Sequence, residues 1–346
     1  MKRRAMMKPT PTLHDVARMA EVSTATVSRC FNFPDQVSEA TRDRVMAVVK
    51  ELGYAPNFGA RAMAARRTNT IGAIIPTMEN AVFARGLQAF QEELHASGYT
   101  MLVASSSYQA DLEEAQIRAL VARGADALLL IGHDRDPEIY RFLDAQGVPV
   151  LVAWAYDPAL SRLSVGFDNA AAMQALTAEV IALGHRRLAL ISAEIEHNDR
   201  ARARLDGVHA AMRLAGLAEA DLTVVTRPYG IENGSQAFAE VMQASPTAVL
   251  CTNDVLALGA LRRAREMGIA VPDDVSICGF DDIELAEVAF PPLTTVHVPH
   301  TDMGRTAAKT LVRMVRGLEV AGSRELKTRI VHRGTLGPIN PALTQR

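Results

Sequence analysis

Thr24, Ala25, Ser28 and Arg29 fall on one face of a helical stretch, Thr24 to Asn32, that follows a second helical stretch across a turn at Glu21-Val22. Small hydroxyl side chains at a helix start, with a guanidinium further along, hydrogen-bond base edges in the DNA major groove. A second set of polar and aromatic residues follows the strand candidates of the remaining chain. Asn80 and Phe83 follow the first strand, Ser106 and Tyr108 the second, and Trp154 the fourth. Asp168 precedes a helix, Asn253-Asp254 and Asp281-Asp282 follow later strands, and Arg204 lies on a helix near Ile195–Arg202. Ligands of open parallel sheets sit beyond the carboxyl ends of the strands. Carboxylates, an amide, a guanidinium and aromatic faces together suit a polyhydroxylated ring or a small acid.

The first set needs a small helical scaffold. Thr12 with Asp15 forms a capping-box pattern, and Leu13, Val16, Ala17 and Ala20 make an apolar stripe at helical spacing. Ser23 is an N-cap for the next helix, whose inward residue is Val27. Ser38 begins a third helix with Val45, Val48, Val49 and Leu52 on one face and Gly53 as its stop. Tyr54-Ala55-Pro56-Asn57 then breaks the chain. Asn57 caps a short segment, Phe58 to about Arg66, in which Gly59 costs a helix about 1 kcal/mol. A segment this weak gains its helicity from a partner, and Arg61, Arg66 and Arg67 point to DNA; a plain linker is the alternative.

The second set needs an α/β body. From Thr70 onward eight strand candidates alternate with amphipathic stretches: 71–76, 99–104, 127–132, 148–153, 188–192, 222–226, 248–252 and 275–279. Such βα alternation implies parallel sheets covered on both faces, and this number suits two sheets of similar size.

Charge divides the chain in the same place. Residues 1–70 hold twelve Lys and Arg against six Asp and Glu, a net of +6; the whole chain carries −2, so the rest carries −8. A basic module on an acidic body is the expected footprint of a nucleic-acid-binding head. Three widely spaced cysteines, Cys30, Cys251 and Cys278, form no framework and suit a reducing cytoplasm. Met1 to Thr10 is basic without an apolar run behind it, so it reads as a disordered arm, neither signal peptide nor membrane span. No glycine-rich phosphate loop and no Ser/His/Asp or Cys/His signature occurs, so neither cofactor nor catalysis is expected. The histidines of His297-Val298-Pro299-His300 are separated by a helix-breaking proline, and no metal is expected there. His133-Asp134-Arg135-Asp136 reads as a solvated loop after a strand.

The order TLHDVA, VSTATVSRCFN, VSEATRDRV, LGYAPN, ARAMA along the first part of the chain resembles the lactose/galactose-repressor family of bacterial transcription regulators, and the likeness extends over essentially the whole chain. The resemblance implies that Thr24, Ala25 and Arg29 contact bases, that Thr26, Ser28 and Asn32 face phosphates or pack, and that Met63 is an apolar wedge in the minor groove. It implies a two-lobe core like that of periplasmic binding proteins, with crossovers near Gly166–Asn169, near Pro299 and near Glu319–Glu325. It also implies an effector site containing Asp168, Arg204, Asn253 and Asp281. Three departures stand out. Glu21 replaces the usual turn glycine, Cys30 replaces an aliphatic residue, and Trp154 stands where neutral-sugar relatives carry aspartate. An indole there would stack on a ring. With Arg200 and Arg202 nearby, and with VGFDN and NAVFA similar to gluconate-type repressors, the balance leans to a sugar acid or related carbohydrate.

The resulting expectation is an α/β chain: an all-helical helix-turn-helix head plus hinge helix, then a two-lobe core with parallel sheets. Its parts are an arm at 1–11, the head at 12–56, the hinge and linker at 57–69 and the core at 70–340. Lobe 1 covers about 70–166 and 300–318, and lobe 2 about 169–297 and 326–340. The expected function is a cytoplasmic, homodimeric transcriptional repressor that binds a pseudo-palindromic double-stranded DNA operator under control of a sugar or sugar acid. The short tail after Asn340 lacks leucine heptads, so no tetramerising coiled coil is expected. The alternatives are a solute-binding sensor without DNA function and, more remotely, an α/β enzyme.

Overall fold

The computed structural model describes residues 10–55, 67–79 and 81–341, without the side chains of Asn32 and Ala81. Asn57, Arg61, Met63 and Asn80 lie outside the described residues, as do most of the arm and of the hinge segment. The chain divides into two units, 1–68 and 69–346.

In the first unit, α1 (Leu13–Met19), α2 (Thr24–Asn32) and α3 (Glu39–Leu52) enclose one small core of Val16, Ala17, Ala20, Val27, Cys30, Val45 and Val48. The local signals act as their chemistry dictates. Thr12 accepts from the Asp15 N–H while Asp15 accepts from the Thr12 N–H, closing the capping box. Ser23 Oγ accepts from the Thr26 N–H at 3.1 Å. Gly53 ends α3 in the left-handed conformation, φ +64°. Glu21 also has positive φ, +52°. A side chain with a Cβ is strained in that conformation, as expected for the departure in the turn.

The second unit contains two parallel sheets. The first runs in the order β11 (Arg324–Glu325), β5 (Ser164–Gly166), β4 (Val150–Ala153), β3 (Ala127–Ile131), β1 (Thr70–Ile75), β2 (Thr100–Ser105). The second runs β7 (Leu222–Thr226), β6 (Leu188–Ser192), β8 (Ala248–Cys251), β9 (Ser276–Cys278). β10 (Thr295–His297) and β12 (Arg329–Val331) form an antiparallel pair, tied to the second sheet by bridges Cys278–Thr294 and Asp281–His297. The inner strands β1, β3, β4, β6 and β8 are buried throughout, because helices cover both faces; edge strands β2 and β7 are partly exposed.

Helix pairs cover the sheets. α4 (Ala81–Ala96) packs on α12 (His300–Val315) at the first sheet, where a Cβ on Gly304 would strike the Gly86 carbonyl oxygen. The second sheet carries α7 (Asn169–Ala182) against α8 (Asp199–Leu214) and α9 (Ile231–Val241) against α10 (Asp254–Glu266). α5 (Ala110–Ala122), α6 (Pro137–Ala145) and the short α11 (Glu284–Val288) complete the set. The chain passes between sheets between β5 and α7, between β10 and α12, and between β11 and β12. The eight expected strands are present. β5, β10, β11 and β12, which the sequence reading omitted, have two or three residues each and cluster at these crossings.

One loop expectation fails. Arg135 is not solvated: its guanidinium donates to the Gly132 and Ile131 carbonyls, to Tyr140 Oη and to Glu113, 2.8 Å away. Only 1% of its side chain is exposed. The fork closes off the end of β3, and Glu113 supplies the countercharge that makes burial tolerable.

Candidate nucleic-acid interface and ligand cleft

On α2 the structure turns Val27 and Cys30 into the core and leaves Ala25 and Arg29 exposed, with Thr24 and Ser28 half-buried beside them. Thr26 is held at the helix start, its Oγ1 2.9 Å from Ser23 Oγ and its N–H bonded to the same oxygen. Thr24, Ala25 and Arg29 therefore stand on the outer surface of the short helix. Arg18, on α1, pairs with Asp15 at 2.7 Å.

The main cleft of the second unit is a cavity of about 820 Å³ at the carboxyl ends of β1, β2, β6 and β7, so both sheets contribute walls. Tyr108, after β2, meets Tyr229, after β7, with ring centroids 5.5 Å apart. Ser107 and Tyr108 both hold positive φ, +51° and +58°. Burial pushes the Tyr108 phenol pKa far upward, and the neighbouring Tyr229 adds to the shift, so the hydroxyl stays protonated. Asn198 is 2% exposed, lines the cavity and N-caps α8 through Oδ1; its buried Nδ2 has no hydrogen-bond partner among the described residues. Exposed carboxylates of Glu79, Glu194 and Glu196 stand around it, with Thr77 and Ser105. Of the expected residues among those described, only Tyr108 lines this cavity. Thr77, Asn198 and Tyr229 escaped the sequence reading, although the strand-end rule applied to β1, β6 and β7 selects their loops.

Arg204, Asn253 and Asp281 are brought together beneath this region. Arg204 is buried and stacks over Phe280 at 3.8 Å. Its Nε donates to Asn169 Oδ1 at 2.9 Å, its Nη1 to the Thr252 carbonyl, and its Nη2 lies 3.7 Å from Asp281 Oδ1. Asp281 sits at φ +109° and is 1% exposed; burial pushes its carboxyl pKa up to about 7, against the pull of Arg204 and Arg200. Asn253 N-caps α10 by accepting from the Leu256 N–H. Asn253 Nδ2 and Asp281 Oδ1 are buried without a hydrogen-bond partner among the described residues. Asp168 N-caps α7 through the Ala171 N–H and lines a second cavity of about 510 Å³ with Asn169, Arg200 and Arg202. Both of those arginines face carboxylates: Arg200 with Asp199 at 3.0 Å, and Arg202 with Asp134 at 2.9 Å.

Two expected residues are placed elsewhere. Trp154, in a left-handed backbone conformation at φ +61°, is 1% exposed and lines neither cavity. Its indole packs edge-on against Phe83, 5.4 Å between centroids, and donates to His300 Nδ1 at 3.1 Å. The expected ring-stacking surface is thus used inside the first lobe. Phe83 is likewise a core residue, 5% exposed.

Residues 12–57 match the family described as bacterial regulatory proteins, lacI family, and residues 177–336 match the periplasmic binding protein-like domain. The chain is 33% identical over 318 residues to the HTH-type transcriptional regulator GntR of Escherichia coli strain K12, covering 91% of this chain and 95% of that protein. It superposes on the Lac repressor dimer bound to operator and an anti-inducer with a TM-score of 0.82 and 27% identity, over 94% of this chain and 99% of that one. The CelR–cellobiose complex gives a TM-score of 0.69 and 30% identity over the same shares. No helix among the described residues is long and apolar enough to cross a membrane. The chain belongs to the lacI family of bacterial regulatory proteins and is a DNA-binding transcriptional regulator with a ligand-binding core.

Proposed function

We propose that the protein is a homodimeric repressor whose operator affinity is set by a hydroxylated ring, a sugar in the first instance, bound between its two lobes. The observation that carries this reading is the cavity walled by strand ends of both sheets and lined by Asn198, whose buried Nδ2 has no hydrogen-bond partner among the described residues. Carboxylates accept from hydroxyls, the amide donates to them, and tyrosine faces take the apolar face of a ring. Arg200, Arg202 and Arg204 are each matched by a carboxylate, which favours a neutral ring over the sugar acid that the sequence suggested. Asn253 Nδ2 is a second buried donor without a hydrogen-bond partner among the described residues.

Thr24, Ala25 and Arg29 read base edges, while Thr26, Ser28 and Asn32 position the helix on the backbone. One short helix reads few base pairs, so two heads on a pseudo-palindrome supply useful specificity, as in the Lac repressor dimer on its operator. Asn57, Arg61 and Met63 belong to the hinge segment that would meet the DNA between the heads. The ligand favours one relative setting of the lobes and thereby changes the spacing of the two hinge segments. Binding, not catalysis, is the role of the cleft. Three buried free thiols, Cys30, Cys251 and Cys278, support a reducing cytoplasmic setting.

A thermal-shift screen of the full-length protein with neutral sugars, sugar acids and nucleobases tests the ligand class. A binder raises the melting temperature by mass action and changes operator affinity at the same concentrations. Stabilisation by sugar acids alone would reverse the preference for a neutral ring.

A further inference from the structure

The polar groups at the lobe crossings close into a circuit. The Trp154 indole N–H donates to His300 Nδ1 at 3.1 Å. Because the indole only donates, Nδ1 is the acceptor, and the His300 proton sits on Nε2, which donates to the Asp281 carbonyl at 3.2 Å. The Asp281 carboxylate faces Arg204 Nη2 at ion-pair distance, 3.7 Å. Arg204 Nε donates to Asn169 Oδ1 at 2.9 Å, and Asn169 Nδ2 donates to the Trp154 carbonyl at 3.0 Å. Five residues thus return to the one from which they began.

The circuit draws on distinct parts of the second unit. Trp154 ends β4 of the first sheet, Asn169 starts α7 just past the first crossing, and His300 starts α12 just past the second. Arg204 and Asp281 belong to the elements of the second sheet. All five residues are buried, none above 5% exposure. The indole is seated tightly: a Cβ on Gly86 would lie 2.5 Å from Trp154 Cζ2. Burial keeps His300 neutral, its pKa lowered to about 3, so both ring nitrogens retain these roles at physiological pH.

We propose that Trp154 and His300 are positioning residues: through the circuit they fix Arg204 and Asp281 beneath the ligand cleft and brace two of the lobe crossings, so that a change at Arg204 is transmitted to Trp154. The inference rests on the reading of Arg204 and Asp281 as ligand-facing groups, but it is tested with no ligand present, so the two fail separately. In a buried network whose members orient one another, removing one link alters the others; independent neighbours respond additively.

Trp154 is the only tryptophan in the chain, so its emission reports the circuit without labelling. In the full-length protein, Arg204→Met, at a residue linked to Trp154 through Asn169, is expected to shift the Trp154 emission maximum and increase its quenching by acrylamide. His300→Phe should do the same. His300→Gln, whose amide both accepts and donates, should restore the wild-type spectrum in large part. The destabilisation of the Arg204→Met/His300→Phe double variant should fall short of the sum of the singles. Should Arg204→Met not fold, Arg204→Lys breaks the forked contacts while keeping the charge and is read identically. Wild-type emission and quenching in a folded Arg204 variant, or additive destabilisation in the double variant, would overturn the proposal. So would a His300→Gln protein indistinguishable from His300→Phe.

Discussion

Trp154 and His300, 146 residues apart in the chain, meet through one hydrogen bond from the indole N–H to Nδ1. The contact depends on two features outside both side chains. The Trp154 backbone adopts φ +61°, which redirects the indole at the end of β4, and Gly86 leaves the space that the ring fills.

Gly86→Ala therefore forces the indole or the α4–α12 contact to move. Overpacking of a close-packed interior costs roughly 1–3 kcal/mol. Urea denaturation followed by Trp154 emission should show a lower midpoint together with an altered folded-state spectrum. A midpoint and spectrum like those of the wild type would mean that Gly86 does not shape this seat.

Glu21 carries the strain in the head. A residue with a Cβ at φ +52° is disfavoured, while glycine adopts that region freely at some cost in unfolded-chain entropy. Glu21→Gly should stabilise the helix pair by up to about 1 kcal/mol. Amide exchange in α1 and α2 should slow accordingly; faster exchange would assign Glu21 a stabilising contact that outweighs its backbone cost.

Buried carboxyls give stability an unusual pH dependence. Burial raises Asp281 to about 7, and burial, aided by the Asp281 charge, raises Asp254 to about 8. In the unfolded chain both titrate near about 4, so the folded state binds the extra protons and stability grows as pH falls from about 8 toward 6.5. Below about 6.5 the unfolded chain also protonates histidines that burial holds neutral in the fold, His300 and His185 among them, which offsets the continuing carboxyl gain. Denaturation midpoints should rise as pH falls from about 8 toward 6.5 and change less below it. Asp281→Asn should flatten the rise between pH 8 and 6.5; an unchanged slope would place that titration elsewhere.

The head was legible because its signals are local. Thr12 and Ser23 cap by reaching three residues ahead and Asp15 by reaching three back, and Val16, Ala20 and Val27 follow helical spacing. The inner strands were legible as apolar runs. The crossing strands β5, β10, β11 and β12 were not, because two or three residues carry no period and their pairing is fixed by distant partners. The same limit misplaced side chains. Trp154 looked like a stacking surface because the strand-end rule gives position and not direction, and both its turn inward and its partner at 300 are tertiary. Arg135 looked solvated in a run of charged residues because Glu113 and the carbonyls that bury it lie on separate elements. Tyr229 and Asn198 follow strands that were correctly identified, so their omission reflects a choice among loop residues.

The central claim is sequence-specific DNA recognition by α2, and the direct measurement is a binding selection from a randomised pseudo-palindromic duplex library. Anisotropy titrations at one fixed salt concentration would then compare the enriched and a scrambled duplex, using wild type and Arg29→Ala. The wild type should prefer the enriched site by a factor on the order of 10³ or more. Arg29→Ala should lose about 1–3 kcal/mol on that site and far less on the scrambled one, relaxing preference at the base pairs it reads. Failure to enrich any sequence, or an equal loss on both duplexes, would contradict the assignment of α2 and Arg29 as the reading elements.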